Sequence, residues 1–152
     1  MQISAKADYA VRIAAELAAS TATTTTAKRI AERQGIPFHY VVKILPELRN
    51  AGLIQRRQGY EGGHCLALPA DDISIADVLR VVEGPLVLVR GERPERVQYN
   101  GSAVPLQHVW LALRTNARVV LETVTLAHLT NHRLPNEIES LAITPESCVT
   151  RR

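Results

Sequence analysis

The sequence predicts a mainly α protein with one small β-hairpin: a winged helix-turn-helix followed by a long dimerisation helix. Three observations carry that expectation. Two short helical patterns meet at Gly35. Directly after them runs Arg56-Arg57-Gln58-Gly59-Tyr60-Glu61-Gly62-Gly63, a glycine-rich tip entered by two arginines, between two short apolar strands. An apolar helical pattern then extends over residues 105–129.

The first helix opens at Ser4, a good N-cap, and its residues Ala7, Ala10, Val11, Ala14, Leu17 and Ala18 follow the three-four spacing of a buried stripe. Residues 20–26, Ser-Thr-Ala-Thr-Thr-Thr-Thr, can bond through their hydroxyls to nearby backbone, which competes with helix, so a loop is expected. Thr26 caps a second helix over residues 27–34, with Ile30 and Ala31 inward and Lys28, Arg29 and Arg33 outward. Pro37 suits the first position of the third helix, where its missing N–H costs nothing. Val41, Ile44, Leu45 and Leu48 form the apolar face there, leaving His39, Tyr40 and Lys43 outward. Pro46 cannot donate to the carbonyl four residues back, so a break is expected near Ile44 or Leu45. Residues 53–57 and 64–68 are the wing strands, and Gly59, Gly62 and Gly63 are expected to take positive φ at the tip.

Ser74-Ile75-Ala76-Asp77 is a capping-box-like start for a fourth helix that Gly84-Pro85 terminates. Residues 86–104 mix charge, Gly and Pro without a period and are expected to be irregular. In the long pattern, Leu106, Val109, Trp110, Leu113, Ala117, Val120, Leu121 and Val124 make one stripe. Leu111, Ala112, Val119, Leu126 and Leu129 make a second. An uninterrupted helix over residues 105–129 would span roughly 37 Å. Two apolar faces on such a helix exceed what one small domain covers, so a homodimer, antiparallel or crossed, is expected. From His128 onward the chain is polar and Pro-interrupted and is expected to fray. The resulting division is a DNA-binding head (residues 1–84), an irregular segment in the sensor position (85–104), a dimerisation helix (105–130) and a tail (131–152).

A chain of 152 residues, 46% of them hydrophobic, can bury one core with an extension but not two full domains. The charge is uneven. Residues 1–60 hold nine Lys/Arg against four Asp/Glu, the rest nine against eleven, and all three lysines fall in the basic part. A one-sided positive field attracts a phosphate backbone. There is no run of about 18 apolar residues, and polar residues occupy the N-terminus where a leader needs an apolar stretch, so a cytoplasmic protein with no membrane partner is expected. Cys65 and Cys148, far apart and without a CxxC partner, fit a reducing compartment rather than a disulfide scaffold.

Double-stranded DNA is therefore the expected partner. A recognition helix presents its N-terminal side chains to base edges in the major groove, while a wing reaches the neighbouring minor groove or backbone. The candidate contacts are Lys28, His39, Tyr40, Lys43, Arg49, Arg56, Arg57, Gln58 and Gly59. Cys65, just past the wing tip, is either a redox-sensitive thiol or a small buried hydrophobe. Trp110, with His108, Tyr99 and residues 90–96, lines a small-molecule or partner-protein pocket or else is the largest core residue of the dimer interface. His128 and His132 have the i, i+4 spacing of a metal pair, but no third ligand follows at a useful distance, and no metal is expected.

Five segments resemble, in order, those of the Rrf2 family of bacterial winged-helix regulators, covering nearly the whole chain. They are Ser4-Ala5-Lys6-Ala7-Asp8-Tyr9-Ala10-Val11, Ile30-Ala31-Glu32-Arg33-Gln34-Gly35-Ile36, Leu48-Arg49-Asn50-Ala51-Gly52-Leu53-Ile54, Gly59-Tyr60-Glu61-Gly62-Gly63, and residues 75–84. The resemblance implies a homodimeric transcription factor with the long helix as interface and a sensor beside it. Cluster-binding members carry three cysteines in the loop before that helix and a fourth ligand that is a histidine in its first turn or an acidic residue in the first helix. His108 and Asp8 stand in such places, but no cysteine lies between Gly84 and His108. Since an iron–sulfur cluster is held chiefly by thiolates, no cofactor is expected.

The leading expectation is a repressor recognising an imperfect palindrome. The alternative is a protein-interaction module, or a thiol- or metabolite-responsive regulator acting through a partner protein. An enzyme is disfavoured, because there is no nucleophile elbow or phosphate loop and the glycines near Gly59 sit on a hairpin rather than before a helix.

Overall fold

Ser4 starts the first helix as its side chain requires: the Ala7 N–H donates to Ser4 Oγ at 3.0 Å, and α1 runs Ala5–Ala19. The computed structural model describes residues 2–60 and 62–143; Glu61, Cys148 and the end of the expected tail lie outside the described residues. Thr26 Oγ1 accepts from Arg29 N at 3.3 Å to cap α2 (Ala27–Gln34), and α3 (Phe38–Asn50) follows the Gly35 turn. The wing is β1 (Ile54–Arg57) antiparallel to β2 (Gly63–Leu66), with Ile54 opposite Leu66 and Arg57 opposite Gly63. In α4 (Ile75–Glu83) the expected capping box is complete: Asp77 N donates to Ser74 Oγ at 3.1 Å and Ser74 N to Asp77 Oδ2 at 2.9 Å.

The core is a single cluster under the head. Ala10, Ile13, Ala14 and Leu17 of α1 pack with Ile30 and Ala31 of α2, Val41, Ile44, Leu45 and Leu48 of α3, Ile54 of β1, and Val78 of α4. The periodicity assigns Ala10, Ala14 and Leu17 of α1 and all four α3 residues to the interior, but it passes over Ile13, which is fully buried, and includes Val11 and Ala18, which are only partly buried. The fold is thus a mainly α winged helix-turn-helix with a two-stranded wing.

Three expectations need correction. The break near Ile44 or Leu45 does not occur, and α3 continues through Pro46. Buried Val41, Ile44, Leu45 and Leu48 straddle the proline and hold both halves to one core. The missing bond would have ended on Val42, which is 47% exposed, so its carbonyl lies on the side that water reaches.

The long helix is shorter than its pattern. It ends as α5 (Leu106–Thr123), roughly 27 Å long, and a separate α6 (Leu126–Thr130) follows. Val124 turns extended and its carbonyl accepts from Ile75 N at 2.9 Å, while Leu126 N donates to Ile73 O at 2.9 Å. Thr125 then caps α6, its Oγ1 accepting from His128 N and its own N–H donating to His128 Nδ1 at 3.0 Å. Burial of Val124 and Leu126 together with two bonds to the head outweighs one more exposed helical turn.

Consequently the region after His128 does not fray at once. Leu129 packs against the core, and α7 (Asn136–Ala142) buries Ile138. His132 takes a left-handed φ of 51°, so it does not continue the face that carries His128. The segment between α4 and α5 is irregular as expected, apart from single 3-10 turns at Pro94–Arg96 and Gly101–Ala103.

Replacing fully buried Leu126 with Ala should lower stability by about 2–5 kcal/mol in urea unfolding, because it opens a cavity in the head. An unchanged midpoint would show that α6 does not belong to the core.

Candidate nucleic-acid interface

The turn between α2 and α3 is fixed from behind by α1. Gly35 adopts φ 61°, and its N–H donates to Ala31 O. Arg12 donates to the Gln34 carbonyl and pairs with Asp8 at 3.1 Å. Glu16, only 8% exposed, accepts from Arg33 at 2.8 Å and from Gln34 Nε2 at 2.9 Å, satisfying both oxygens of a nearly buried carboxylate. Helix α2 is thereby clamped at its C-terminal end, and α3 leaves the turn at a set angle.

The outward side of α3 carries His39, Lys43 and Arg49, all exposed. It also carries Phe38 and Val42, 54% and 47% exposed, which sequence reasoning missed. Their signal was present: Phe38, Val42 and Arg49 repeat at i, i+4 and i+11 on a strip beside the core stripe, and the apolar pair there stays exposed. Tyr40 corrects the expectation in the other direction. It is half-buried against the Tyr9 ring, centroids 5.0 Å apart and edge-on, rather than free to point outward.

The wing stands beside this helix. Arg56, Arg57, Gln58 and Gly59 are exposed at its entry. Within the loop expected at residues 20–26, Thr25 forms an antiparallel bridge to the wing: Thr25 N donates to His64 O and His64 N to Thr25 O, each at 2.8 Å. Of the wing glycines only Gly59 has positive φ, 118°. Gly62 and Gly63 serve close approach instead. A Cβ on Gly62 would lie 2.9 Å from Gly59 O, and one on Gly63 would lie 2.9 Å from Thr25 O.

Charge is distributed with the same logic. Among the nine cations of residues 1–60, Lys6 pairs with Glu47 at 2.9 Å, Arg12 with Asp8 and Arg33 with Glu16. Lys28, Arg29, Lys43, Arg49, Arg56 and Arg57 have no carboxylate partner among the described residues. Three of the four acids in this part of the chain are thus committed to cations that brace the helices, leaving the α2–α3–wing side positive. His64 records that field. Burial, then Arg56 and Arg49, hold its pKa below the ordinary 6.5, and its buried Nδ1 has no hydrogen-bond partner.

The family model for "Iron-dependent Transcriptional regulator", Rrf2, matches residues 3–132. The chain belongs to the Rrf2 family. A putative HTH-type transcriptional regulator of Mycobacterium tuberculosis is 44% identical over 143 residues, covering 93% of this chain and 89% of the relative. The HTH-type regulator CymR of Bacillus subtilis is 31% identical over 136 residues, covering 87% and 91%. The solved structure of that protein, described as a global cysteine regulator, superposes with a TM-score of 0.74 over 87% of this chain and 98% of its own. T. potens IscR superposes with a TM-score of 0.68 at 26% identity, over 100% and 94%. The chain is therefore a DNA-binding transcriptional regulator and not an enzyme.

The segment between α4 and α5 supplies no thiolate. The described residues contain no cluster of three or more His, Cys, Asp or Glu placed to hold a metal, and the segment between Gly84 and His108 contains no cysteine. Asp8 is held by Arg12, and His108 is exposed on the first turn of α5. These residues do not fit a cysteine-held cluster. Trp110 donates its Nε1 to Tyr99 Oη at 2.9 Å and borders a cavity of about 400 Å³ with Leu86, Val89, Arg90 and Leu113. Cys65 is a half-buried free thiol on β2, opposite Gln55. The structure thus keeps Asp8, Cys65 and Trp110 in separate settings.

Because the folded-state pKa of His64 lies below its unfolded value, the unfolded chain protonates first as pH falls. Its contribution is intact above about 6.5 and turns unfavourable as pH drops below that. The urea midpoint should fall between about pH 7.5 and pH 5.5, and His64→Asn should reduce that fall; an identical fall in both proteins would remove His64 as the cause.

Proposed function

We propose that this protein is a homodimeric transcriptional repressor of the cytoplasm that binds an imperfect palindrome through α3 and the wing, and that it senses its signal without a cysteine-held iron–sulfur cluster. The observation that carries the reading is the combination, on α3 and the wing entry, of exposed cations with no carboxylate partner among the described residues, Lys43, Arg49, Arg56 and Arg57 among them, with exposed Phe38 and Val42. Cations neutralise phosphates and set register on the duplex, whereas an apolar side chain in the major groove can select thymine by its methyl group. Lys28 and Gln58 flank that face and serve as backbone contacts, His39 sits at the start of the recognition helix, and Gly59 permits close approach of the wing tip.

Dimerisation is supported by α5. None of its residues is fully buried in the single chain, and Val109 and Val119 are 53% and 57% exposed. Pairing two such helices about a two-fold axis covers them and places two heads for two half-sites. The head (residues 1–84), the segment at the sensor position (85–104) and α5 then have separate tasks.

Lys43→Ala and Arg57→Ala should each weaken DNA binding and lower the slope of log K against log salt by about 0.9 for each phosphate that is no longer neutralised. Phe38→Ala should instead reduce discrimination at one base pair while leaving that slope unchanged. Sedimentation of the wild-type chain should give a dimer. Salt slopes unaffected in both cation variants would refute the docking and favour a protein-interaction module.

A further inference from the structure

We infer that the cleft between α4, the segment after it and α5 is a binding site for a compact polyanion, a phosphorylated metabolite or a polycarboxylate. Four arginines from three separate pieces of chain converge there: Arg80 from α4, Arg93 from the irregular segment, and Arg114 and Arg118 from α5. Glu95 is the one carboxylate on the lining; with Asp77 and Glu122 behind Arg80 and Arg118, four arginines face three carboxylates, so the cleft keeps a net positive charge although residues 61–152 are net acidic. The volume, about 480 Å³, lies within the range of small-molecule sites.

The surrounding acids hold the guanidinium groups in place. Glu95 accepts from Arg114 at 2.5 Å. Glu122 accepts from Arg80 and, at 3.1 Å, from Arg118, and Asp77 lies 3.6 Å from Arg80. Arg93 has no ion-pair or hydrogen-bond partner for its side chain among the described residues. Three arginines are thus pre-positioned and one is left with its donors uncommitted. Lysine is absent from this part of the chain, where every cation is the planar fork that matches carboxylate and phosphate oxygens in pairs. A bound anion would tie α4 of the head to α5. The site supplies an effector class for the regulator proposed above; it rests on that reading only for its effect on DNA, not for binding itself.

Calorimetry on the full chain without DNA, using pyrophosphate and citrate as probes, tests the site. At least one probe should bind saturably, and the tighter of the two tells a phosphorylated from a carboxylate ligand. Arg93→Gln and Arg118→Gln should each weaken that binding about tenfold, the effect expected of removing one charge-assisted hydrogen bond. Lys43→Gln on the DNA face and Arg133→Gln outside the cleft should leave it unchanged. Arg93 is exposed and unpartnered, so its variant is expected to keep the wild-type melting temperature. Absence of saturable binding by both probes, or equal weakening in Lys43→Gln, overturns the proposal. Retention of DNA is measured separately on the same proteins, so failure of the DNA reading is distinguishable from failure of the anion site.

Discussion

The α2–α3–wing face depends on a pair of backbone hydrogen bonds between Thr25 and His64. A two-stranded hairpin alone is marginal in water. Here β2 gains a second neighbour from the connection between α1 and α2, and that same connection ends in Thr26, the cap of α2. Wing and helix-turn-helix therefore share one short piece of backbone. Gly63 is what lets the strands approach, because any Cβ there would press on the Thr25 carbonyl. Thr25 is 3% exposed, and its hydroxyl donates to Ser20 Oγ at 2.9 Å, so its side of the junction is buried.

Behind that face, opposite charges are paired where geometry matters. Glu16 holds Arg33 and Gln34, Arg12 closes on the α2 terminus, and Lys6 bridges α1 to Glu47 of α3. Most of these pairs are partly exposed and each contributes little to stability. Their larger effect is on the field: they occupy the acids that would otherwise neutralise the cations of the α2–α3–wing face. The pKa of His64 is depressed first by its burial and then by Arg56 and Arg49 at the wing root.

Much of this was legible in the sequence because it is governed by neighbours a few residues apart. Ser4, Thr26 and the Ser74/Asp77 box announce helix starts, and the periodicity names the buried residues of α3 and, except for Ile13 and Glu16, those of α1. What was not legible depends on neighbours distant in sequence. Thr25 looks like one of several loop threonines until His64 is placed beside it. Pro46 reads as a breaker unless the core on both sides holds the helix together. The apolar pattern continues from α5 into α6, yet the backbone of Ile73 and Ile75 captures Val124 and Leu126 and ends the long helix. Tyr40 has an outward helical position but a large ring that finds Tyr9. The arginine cleft combines residues spread over nearly forty positions, and no local motif marks it.

Helix α5 meets the rest of the fold along α4 and, through Val124 and Leu126, at the backbone of Ile75 and Ile73. Enrichment of genomic fragments by the purified protein, followed by sequencing of what is retained, tests most directly whether α3 and the wing act as one reading surface repeated by two-fold symmetry. A shared palindrome with half-sites spaced by about one helical turn, or a multiple of it, is the expected result. Recovery of nothing above background, or of fragments with no two-fold motif, would contradict it.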